Sequence, residues 1–304
     1  MTWMTAAAFC LIFLNGATDA SAAIAAAVSS GALTMRRAAL LCAAGNLTGG
    51  LAGELLFPQL VRAAGSAADF GTHPELGALA AVTAAALFTF GAWLLHIPTS
   101  ESHALLAAAA GASLVLGERT PLSALLPAVC WMLLGAAAGA AAGAAAGLLL
   151  PHLSPRTASR CLIGLAAAAS VLHGMQDLPK FLVLAGAEDA VLPGAAAIAL
   201  GTLCGGRRMA QSLGSALASL DERASLASDI GCAAALLFLS VHGVPASTTH
   251  TKAASVAGCA LASRGCRLHT RVFAEYAAAW IASFPVCCAL GALCARVMFF
   301  LTES

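Results

Sequence analysis

Two short polar motifs interrupt apolar stretches of the sequence, and each ends in a carboxylate. The first motif runs from Asn15 to Asp19 and the second from His173 to Asp177. Ionisable and amide side chains are costly when they lie unpaired in an apolar environment, so the two motifs predict a functional site. Carboxylates in such a place can hold cations or accept the proton of a bound acid.

A second pair of motifs combines a proline, hydroxyl side chains and a histidine. Pro98 to His103 reads Pro-Thr-Ser-Glu-Ser-His, and Pro245 to His250 reads Pro-Ala-Ser-Thr-Thr-His. Proline interrupts a helix, and Ser or Thr favours the start of the next one. Hydroxyls and the free N–H groups of a helix start are donors for an oxyanion. The four motifs therefore predict four polar helix breaks that converge on one site.

The elements that position these motifs are predicted to be membrane helices. Hydrophobic residues make up 60% of the 304 residues and charged residues only 10%, which is too little charge for a soluble surface. Most apolar stretches approach or exceed the roughly 20 residues that span a bilayer, and a few are shorter. The net charge of +1 argues against a nucleic-acid partner. The eleven cysteines have no Cys-x-x-Cys spacing, and we expect no cofactor.

We call Asn15 to Asp19 and His173 to Asp177 the Gly…Asp motifs, and Pro98 to His103 and Pro245 to His250 the Pro…His motifs. In each half a Gly…Asp motif precedes a Pro…His motif, which indicates an internal duplication. Charges in equivalent loops change sign between the halves, which predicts repeats of opposite orientation. The compared groups are Arg36 and Arg37 with Glu188 and Asp189, the linkers 62–75 and 207–223, and Glu118 and Arg119 with Arg264, Arg267 and Arg271.

We therefore expect an all-α polytopic membrane protein with two inverted-topology repeats. The repeats are residues 1–150 and 151–304, and their broken or re-entrant helices meet at a midplane site to form one functional unit. Placing the basic loops in the cytoplasm leaves both termini extracellular, in a plasma or inner membrane.

A stripe of glycines predicts one close helix contact. Gly135, Gly139, Gly143 and Gly147 recur every four residues with alanines between them. Small residues on one helical face let another backbone approach closely. The partner is another helix of the chain or a second copy in a homodimer.

Several motifs match a known family in the same order along the chain. Gly16 to Asp19 is similar to Gly-Ala-Asn-Asp, and Ser29 to Thr34 is similar to Gly-Ser-Gly-Ala-Leu-Thr. Ser170 to Lys180 is similar to Ser-x-x-His-Gly-Ala-Asn-Asp-x-x-Lys, and Pro245 to His250 matches Pro-x-Ser-Thr-Thr-His. These are the motifs of the inorganic phosphate transporter (PiT) family, which the chain resembles over nearly its whole length. The chain departs from them at Thr18 and Gln176, where the family has Asn, and at Glu101, where it has a hydroxyl.

The resemblance implies a symporter, not an enzyme, which moves inorganic phosphate through the lipid bilayer with Na⁺ or H⁺ by alternating access. It implies a phosphate site made of Asp19, Ser100, Ser102, Gln176, Asp177, Ser247, Thr248 and Thr249. It implies a coupling-ion site made of Asn15, Thr18, Asp19, Asp177 and Glu101, with no metal other than Na⁺. The expected gate residues or counter-charges are His103, His173, Lys180 and His250.

Each assignment has a structural alternative. The aspartates and histidines could cap helices, and the hydroxyls could bond back to helix carbonyls. Lys180 is either a snorkelling residue or a counter-charge for the anion or for Asp177. Glu101 either titrates during transport and carries a proton, or faces a water-filled vestibule, or pairs with Lys252 or His103.

Two other functions compete with phosphate symport. A sulfate or other oxyanion permease of the same fold fits, because the departures from the family motifs lie where selectivity is set. An intramembrane hydrolase could use Ser247 and His250. That hydrolase would leave the duplicated motifs unexplained, and the chain lacks a Gly-x-Ser-x-Gly motif.

Overall fold

The structure, a computed structural model, describes residues 3–56, 58–59, 73–116, 121–150, 153–244 and 246–303. Its α-helices are α1 (Trp3–Thr18), α2 (Ala25–Ser29), α3 (Met35–Leu56), α4 (Pro74–Leu95), α5 (Glu101–Val115), α6 (Pro121–Leu149), α7 (Pro155–Leu184), α8 (Val191–Gly205), α9 (Arg207–Gln211), α10 (Glu222–Val241), α11 (Thr248–Ala262) and α12 (Thr270–Glu303). Pro245, Glu118, Arg119 and most of the linker 62–75 lie outside the described residues.

The remaining regular elements are short. Residues Asp19–Ala23 and Glu188–Ala190 form 3₁₀ turns, and Ser212–Ala216 forms a π turn. The strands β1 (Ala218–Ser219) and β2 (Arg267–Leu268) form an antiparallel ribbon in which Ser219 pairs with Arg267. The predicted all-α class is confirmed apart from this two-residue ribbon.

Within the part of the chain that the structure describes, six helical segments are long and apolar enough to cross a membrane. They are Trp3–Ala23, Pro74–Leu95, Leu126–Leu149, Pro155–Val183, Glu222–Val241 and Thr270–Thr302. A bent pair, Glu188–Gly205 and Met209–Ala216, would be a seventh, with 74° between its two parts. Large apolar side chains such as Leu55, Leu261 and Phe300 are more than half exposed on helix surfaces, as expected where lipid is the solvent. The polytopic architecture is confirmed.

The helices pack in corresponding pairs that exchange partners between the halves. α3 packs on α7, and the equivalent pair is α8 on α1; likewise α5 packs on α12, and α11 on α6. Within each half, α4 contacts α5 in the same way that α10 contacts α11. This reciprocal pattern is what two inverted repeats around a pseudo-two-fold axis produce.

The helices that follow the Pro…His motifs, α5 and α11, are too short to cross a membrane. α5 and α11 have 15 residues each, and nearly all of these residues are buried. At about 1.5 Å per residue each helix is roughly 22 Å long, which is less than the roughly 30 Å of a bilayer core. Both helices therefore begin inside the protein, as the Pro…His motifs predict for broken or re-entrant segments.

The two Gly…Asp motifs differ in local structure. The first breaks as predicted, because α1 ends at Thr18 and a 3₁₀ turn begins at Asp19. Ser21 Oγ donates to the Thr18 carbonyl at 2.6 Å, a local bond that favours the tighter turn. The expected break at Asp177 does not occur, because α7 continues to Leu184. The following residues, Leu178 and Phe181, instead bury apolar side chains on the continuing helix.

The glycine stripe lies against a helix of the same chain. Gly135, Gly139 and Gly143 of α6 contact Thr251 and Ser255 of α11. A Cβ atom at Gly139 or Gly143 would overlap a backbone carbonyl of α11, so only glycine permits this approach. Close helix packing is thus its role within the chain, and a homodimer stays a prediction.

Candidate functional site

Three buried carboxylates from three helix regions meet in the interior. The Asn15 side-chain amide donates to Asp177 Oδ2 at 3.1 Å and reaches Glu101 Oε2 at 3.5 Å. Thr18 Oγ1 lies 2.6 Å from Glu101 Oε1. The side chains of Asp19 and Glu101 also lie next to each other. We call Asn15, Thr18, Asp19, Glu101 and Asp177 the carboxylate cluster; they are the five residues predicted to hold the coupling ion.

Asp177 is the carboxylate with the most partners. Lys180 Nζ lies 2.6 Å from its Oδ1, and His173 Nε2 lies 3.3 Å from its Oδ2. These spacings of three and four residues place all three side chains on one face of the continuous helix α7. Lys180 is only 1% exposed, so it is a buried counter-charge for Asp177 and not a snorkelling residue.

Asp19 is held by different contacts. Thr249 Oγ1 at the start of α11 donates to Asp19 Oδ1, which joins the Gly…Asp motif of one half to the Pro…His motif of the other. Among the described residues Asp19 has no ion-pair partner, and its second neighbour is the Glu101 carboxyl. The two aspartates therefore face opposite electrostatic surroundings.

The serines that precede α5 and α11 cap these helices. Ser100 Oγ accepts from the backbone N–H of His103 at 3.5 Å, and Ser247 Oγ accepts from that of His250 at 3.3 Å. Capping uses their oxygens and not their hydroxyl hydrogens. Ser102 and Thr248 are buried in the first turns, and Thr248 Oγ1 has no hydrogen-bond partner among the described residues.

The two motif histidines stack on each other between the repeats. Their ring centroids are 5.3 Å apart with 11° between the planes. His103 Nδ1 also lies 2.8 Å from Ser100 Oγ, and His250 packs 4.4 Å from the Trp280 ring. Neither ring nitrogen of His250 has a hydrogen-bond partner in the described chain. This contact across the pseudo-symmetry axis suits a gate.

Gln176 points away from the carboxylate cluster. Its side-chain amide donates to the Leu236 carbonyl at 3.2 Å and to the Ser240 hydroxyl, both on α10. The structure therefore does not bring this predicted phosphate ligand to the other site residues.

Glu101 has other partners than those we expected. It is 0% exposed, which excludes the water-filled vestibule in this structure. Its predicted pairing with Lys252 or His103 is wrong: Lys252 forms an ion pair with Asp229 of α10, and His103 contacts Ser100. Asn15 and Thr18 contact Glu101 instead, because α1 ends beside the start of α5.

Sequence reasoning missed two polar groups. Asp229 lies in the apolar stretch 226–244, and its acidic side chain inside a membrane segment was the signal for a partner. Asn46 is fully buried, with its Oδ1 2.9 Å from His173 Nδ1 and its Nδ2 2.9 Å from Thr202 Oγ1. Asn46 therefore fixes the ring that reaches Asp177, as a supporting residue behind the cluster.

The balance of charge indicates what the carboxylate cluster can bind. Three carboxyl groups face one ammonium, so the cluster needs further positive charge in this dry environment. The described residues hold no group of three His, Cys, Asp or Glu ligands with the geometry of a metal site. A monovalent cation would instead use carboxylate, amide and hydroxyl oxygens together, and a proton could be shared between Asp19 and Glu101.

Comparison with known proteins identifies the family. The sequence profile described as the phosphate transporter family matches residues 15–157 and again residues 151–291. A protein of Mycobacterium leprae named a probable low-affinity inorganic phosphate transporter is 30% identical, over 92% of this chain and 74% of the relative. Proteins with the same name from Mycobacterium bovis and Bacillus subtilis are 28% and 24% identical, over 95% and 92% of this chain and 75% and 92% of the relatives.

A solved structure shares the fold. The protein titled "The sodium-dependent phosphate transporter" superposes with a TM-score of 0.81, covering 99% of this chain and 100% of that one. The two sequences are 18% identical, so this likeness concerns the fold. The double profile match along the chain agrees with the inverted repeat.

Proposed function

We propose that this chain, which belongs to the phosphate transporter family, is a symporter of inorganic phosphate driven by Na⁺ or H⁺. The observation that carries the proposal is the carboxylate cluster, in which three buried carboxyl groups lie with one ammonium and Asn15 joins Glu101 to Asp177 across the two repeats. An excess of buried negative charge is a binding site for a cation, and it makes the arrival of an anion depend on that cation.

In this proposal phosphate binds at the starts of α5 and α11. Ser100, Ser102, Ser247, Thr248 and Thr249 lie there, and each helix start adds free N–H groups and a positive dipole end. Asp19, already bonded to Thr249, is placed to accept the proton of hydrogenphosphate. Asp177 with Lys180 and His173 provides the charged wall opposite.

The coupling ion binds in the carboxylate cluster. The end of α1 at Thr18 leaves backbone carbonyls beside the carboxylates, an arrangement used for Na⁺ where a membrane helix is interrupted. The name of the similar solved structure supports Na⁺. The nearness of Asp19 and Glu101 supports H⁺, because two adjacent buried carboxyl groups repel each other when both are ionised and can share a proton.

Contacts that cross between the repeats support transport by alternating access. Asn15 to Asp177 and Asp19 to Thr249 each join residues of opposite halves, and the stacked histidines do the same. We further propose that residues 1–150 and 151–304 move against each other, that the basic loops face the cytoplasm, and that both termini are extracellular in a plasma or inner membrane.

The competing functions predict different contacts or substrates. An intramembrane hydrolase would need Ser247 Oγ on a ring nitrogen of His250, and that ring has no hydrogen-bond partner among the described residues. A sulfate permease would use the same hydroxyls. Phosphate differs from sulfate in carrying a proton near neutral pH, for which Asp19 is a fitting acceptor.

Radiolabelled uptake into proteoliposomes tests the proposal. Sodium and pH gradients are imposed separately, and we expect phosphate accumulation with at least one of them. Sulfate uptake that excess phosphate does not reduce, together with no phosphate uptake, would favour the oxyanion permease. Empty liposomes and liposomes with D19N protein serve as the two controls.

A further inference from the structure

A second charged pair lies outside the carboxylate cluster. Lys252 of α11 is 2% exposed and forms an ion pair with Asp229 of α10. Asp229 is the only carboxylate that the described residues place against this ammonium, which makes no further hydrogen bond in that part of the chain. An ammonium has three N–H donors, so Lys252 retains donors for another acceptor.

Lys252 forms part of the wall of a polar cavity of about 120 Å³. The serine-lined cavity also contains Ser29, Ser215, Ser219, Ser225 and Ser228. Ser215 and Ser219 are exposed, whereas Ser225, Ser228 and Lys252 are buried. The cavity thus leads from an exposed, hydroxyl-bearing mouth to a buried ammonium. One water needs only about 10–15 Å³ of such volume, so the cavity is large enough for several waters or a small ion.

Two further observations show that this cavity suits an anion. Ser225 is 3% exposed and lines the cavity, so a hydroxyl donor lies in its buried part. At the mouth, Ser219 pairs across the ribbon with the exposed Arg267 and lies 3.2 Å from His269 Nε2. Basic groups at the mouth of a cleft raise the local concentration of anions.

The same lysine connects this cavity to the candidate site. A smaller cavity of about 30 Å³ is lined by Lys252, Asp229, Thr248 and His173, among others. Asp229 Oδ2 and Thr248 Oγ1 are buried there without hydrogen-bond partners in the described chain. Lys252 therefore stands between the outer cavity and residues that lie beside Asp177 and at the start of α11.

We propose that the serine-lined cavity is a second oxyanion site, in which Lys252 and Ser225 hold phosphate or sulfate on the way to or from the candidate site. The inference rests on the proposed function for its direction of travel, but not for the binding itself. Asp229 holds the ammonium while the cavity is empty, and Lys252 exchanges that partner for the oxyanion. A buried ion pair adds little stability by itself, so exchanging Asp229 for a bound oxyanion costs the fold little.

Equilibrium dialysis of radiolabelled phosphate and sulfate against purified protein tests the site directly. The variants are D229N, K252M and D229N/K252M, the last of which removes both charges and leaves none unpaired. We expect the double variant to bind about tenfold more weakly and D229N about threefold more tightly, because the latter removes the competing carboxylate. Size-exclusion chromatography reports folding of each variant.

A matched pair of serine variants sharpens the test. S225A removes a hydroxyl that lines the cavity, whereas S255A removes a hydroxyl on the neighbouring helix that donates to the Ser228 carbonyl at 2.7 Å. We expect about fivefold weaker binding for S225A and no change for S255A.

The outcomes separate this inference from the proposed function. A folded double variant with the wild-type Kd, or wild-type protein that binds neither anion, would overturn the second site. Wild-type protein that binds phosphate in dialysis, loses it in the double variant and yet takes up none in proteoliposomes would support the site and contradict the symporter. Sulfate binding alone would retain the site and change its ligand.

Discussion

The two Gly…Asp motifs have the same spacing but opposite surroundings. Asp177 lies within a continuous helix and contacts Lys180 and His173 on its own face. Asp19 lies at a helix break, and its polar contacts among the described residues are Thr249 and Glu101, with no cationic side chain. The comparison teaches that duplication provides two equivalent positions whose local partners give them different charge environments. Asp177 has a counter-charge on its own helix, and Asp19 has none among the described residues. We infer that a mobile cation enters the carboxylate cluster beside Asp19.

The largest expected effect comes from removing the permanent counter-charge. K180M removes the ammonium that faces Asp177 in the interior, and breaking a buried pair costs about 3–5 kcal/mol. We expect a large loss of folded protein in membranes, measured by fluorescence-detected size exclusion. The control is D177N/K180M, in which no charge is left unpaired and folding returns. Normal folding of K180M alone would contradict the view that this pair is structural.

Replacing the two aspartates separates stability from transport. D19N keeps a hydrogen-bonding side chain and strands no cation, so we expect a folded protein with phosphate uptake reduced by about 100-fold or more, the scale of one lost charged contact at a site. D177N strands Lys180 and should lose both uptake and thermal stability. Uptake assays and melting temperatures in detergent measure the two effects. Near-normal uptake by both variants would show that the aspartates have no part in transport.

Replacing Glu101 tests whether phosphate uptake is coupled to a proton. E101Q imitates the protonated carboxyl and can still contact Thr18 and Asn15, so the fold should be retained. If Glu101 carries a proton, uptake by this variant depends less on an imposed pH gradient while its dependence on Na⁺ remains. The control is T18V, which removes one partner of Glu101 and leaves the carboxyl in place. An unchanged pH response in E101Q would place the proton step elsewhere.

Gln176 provides the smallest expected effect. Its amide bonds α10 and not the carboxylate cluster, so Q176A should lower stability by about 1 kcal/mol and leave the KM for phosphate unchanged. Initial uptake rates across phosphate concentrations, with melting temperatures, measure both. A severalfold rise in KM at normal stability would restore Gln176 to the phosphate site.

The sequence was informative where polar residues lie inside apolar, membrane-spanning segments. Duplicated motifs predicted the inverted repeats, and an acid, an amide or a hydroxyl in an apolar segment predicted that Asn15, Asp19 and Thr249 would be buried together. The short stretches around α5 and α11 predicted helices that do not cross the bilayer. These features depend on the cost of polar groups in lipid, which acts locally and is visible in one sequence.

The partners of individual side chains could not be predicted in the same way. Lys252 meets Asp229 because α10 and α11 pack at one particular rotation, and neither spacing nor composition encodes that rotation. Gln176 and Asp177 are neighbours on one helix, yet they point to different partners since successive residues are about 100° apart. The absence of a break at Asp177 depends on how Leu178 and Phe181 pack against the rest of the fold.

The exchange of helix partners between the halves bears on how the protein is made. α3 packs on α7 and α5 packs on α12, so much of the first half meets its main neighbours only after the second half has left the ribosome. Until then, the polar side chains of Asn15, Asp19 and Glu101 lie in the membrane without their hydrogen-bond partners from the second half, Asp177 and Thr249. We therefore expect insertion of the first half to precede its assembly with the second.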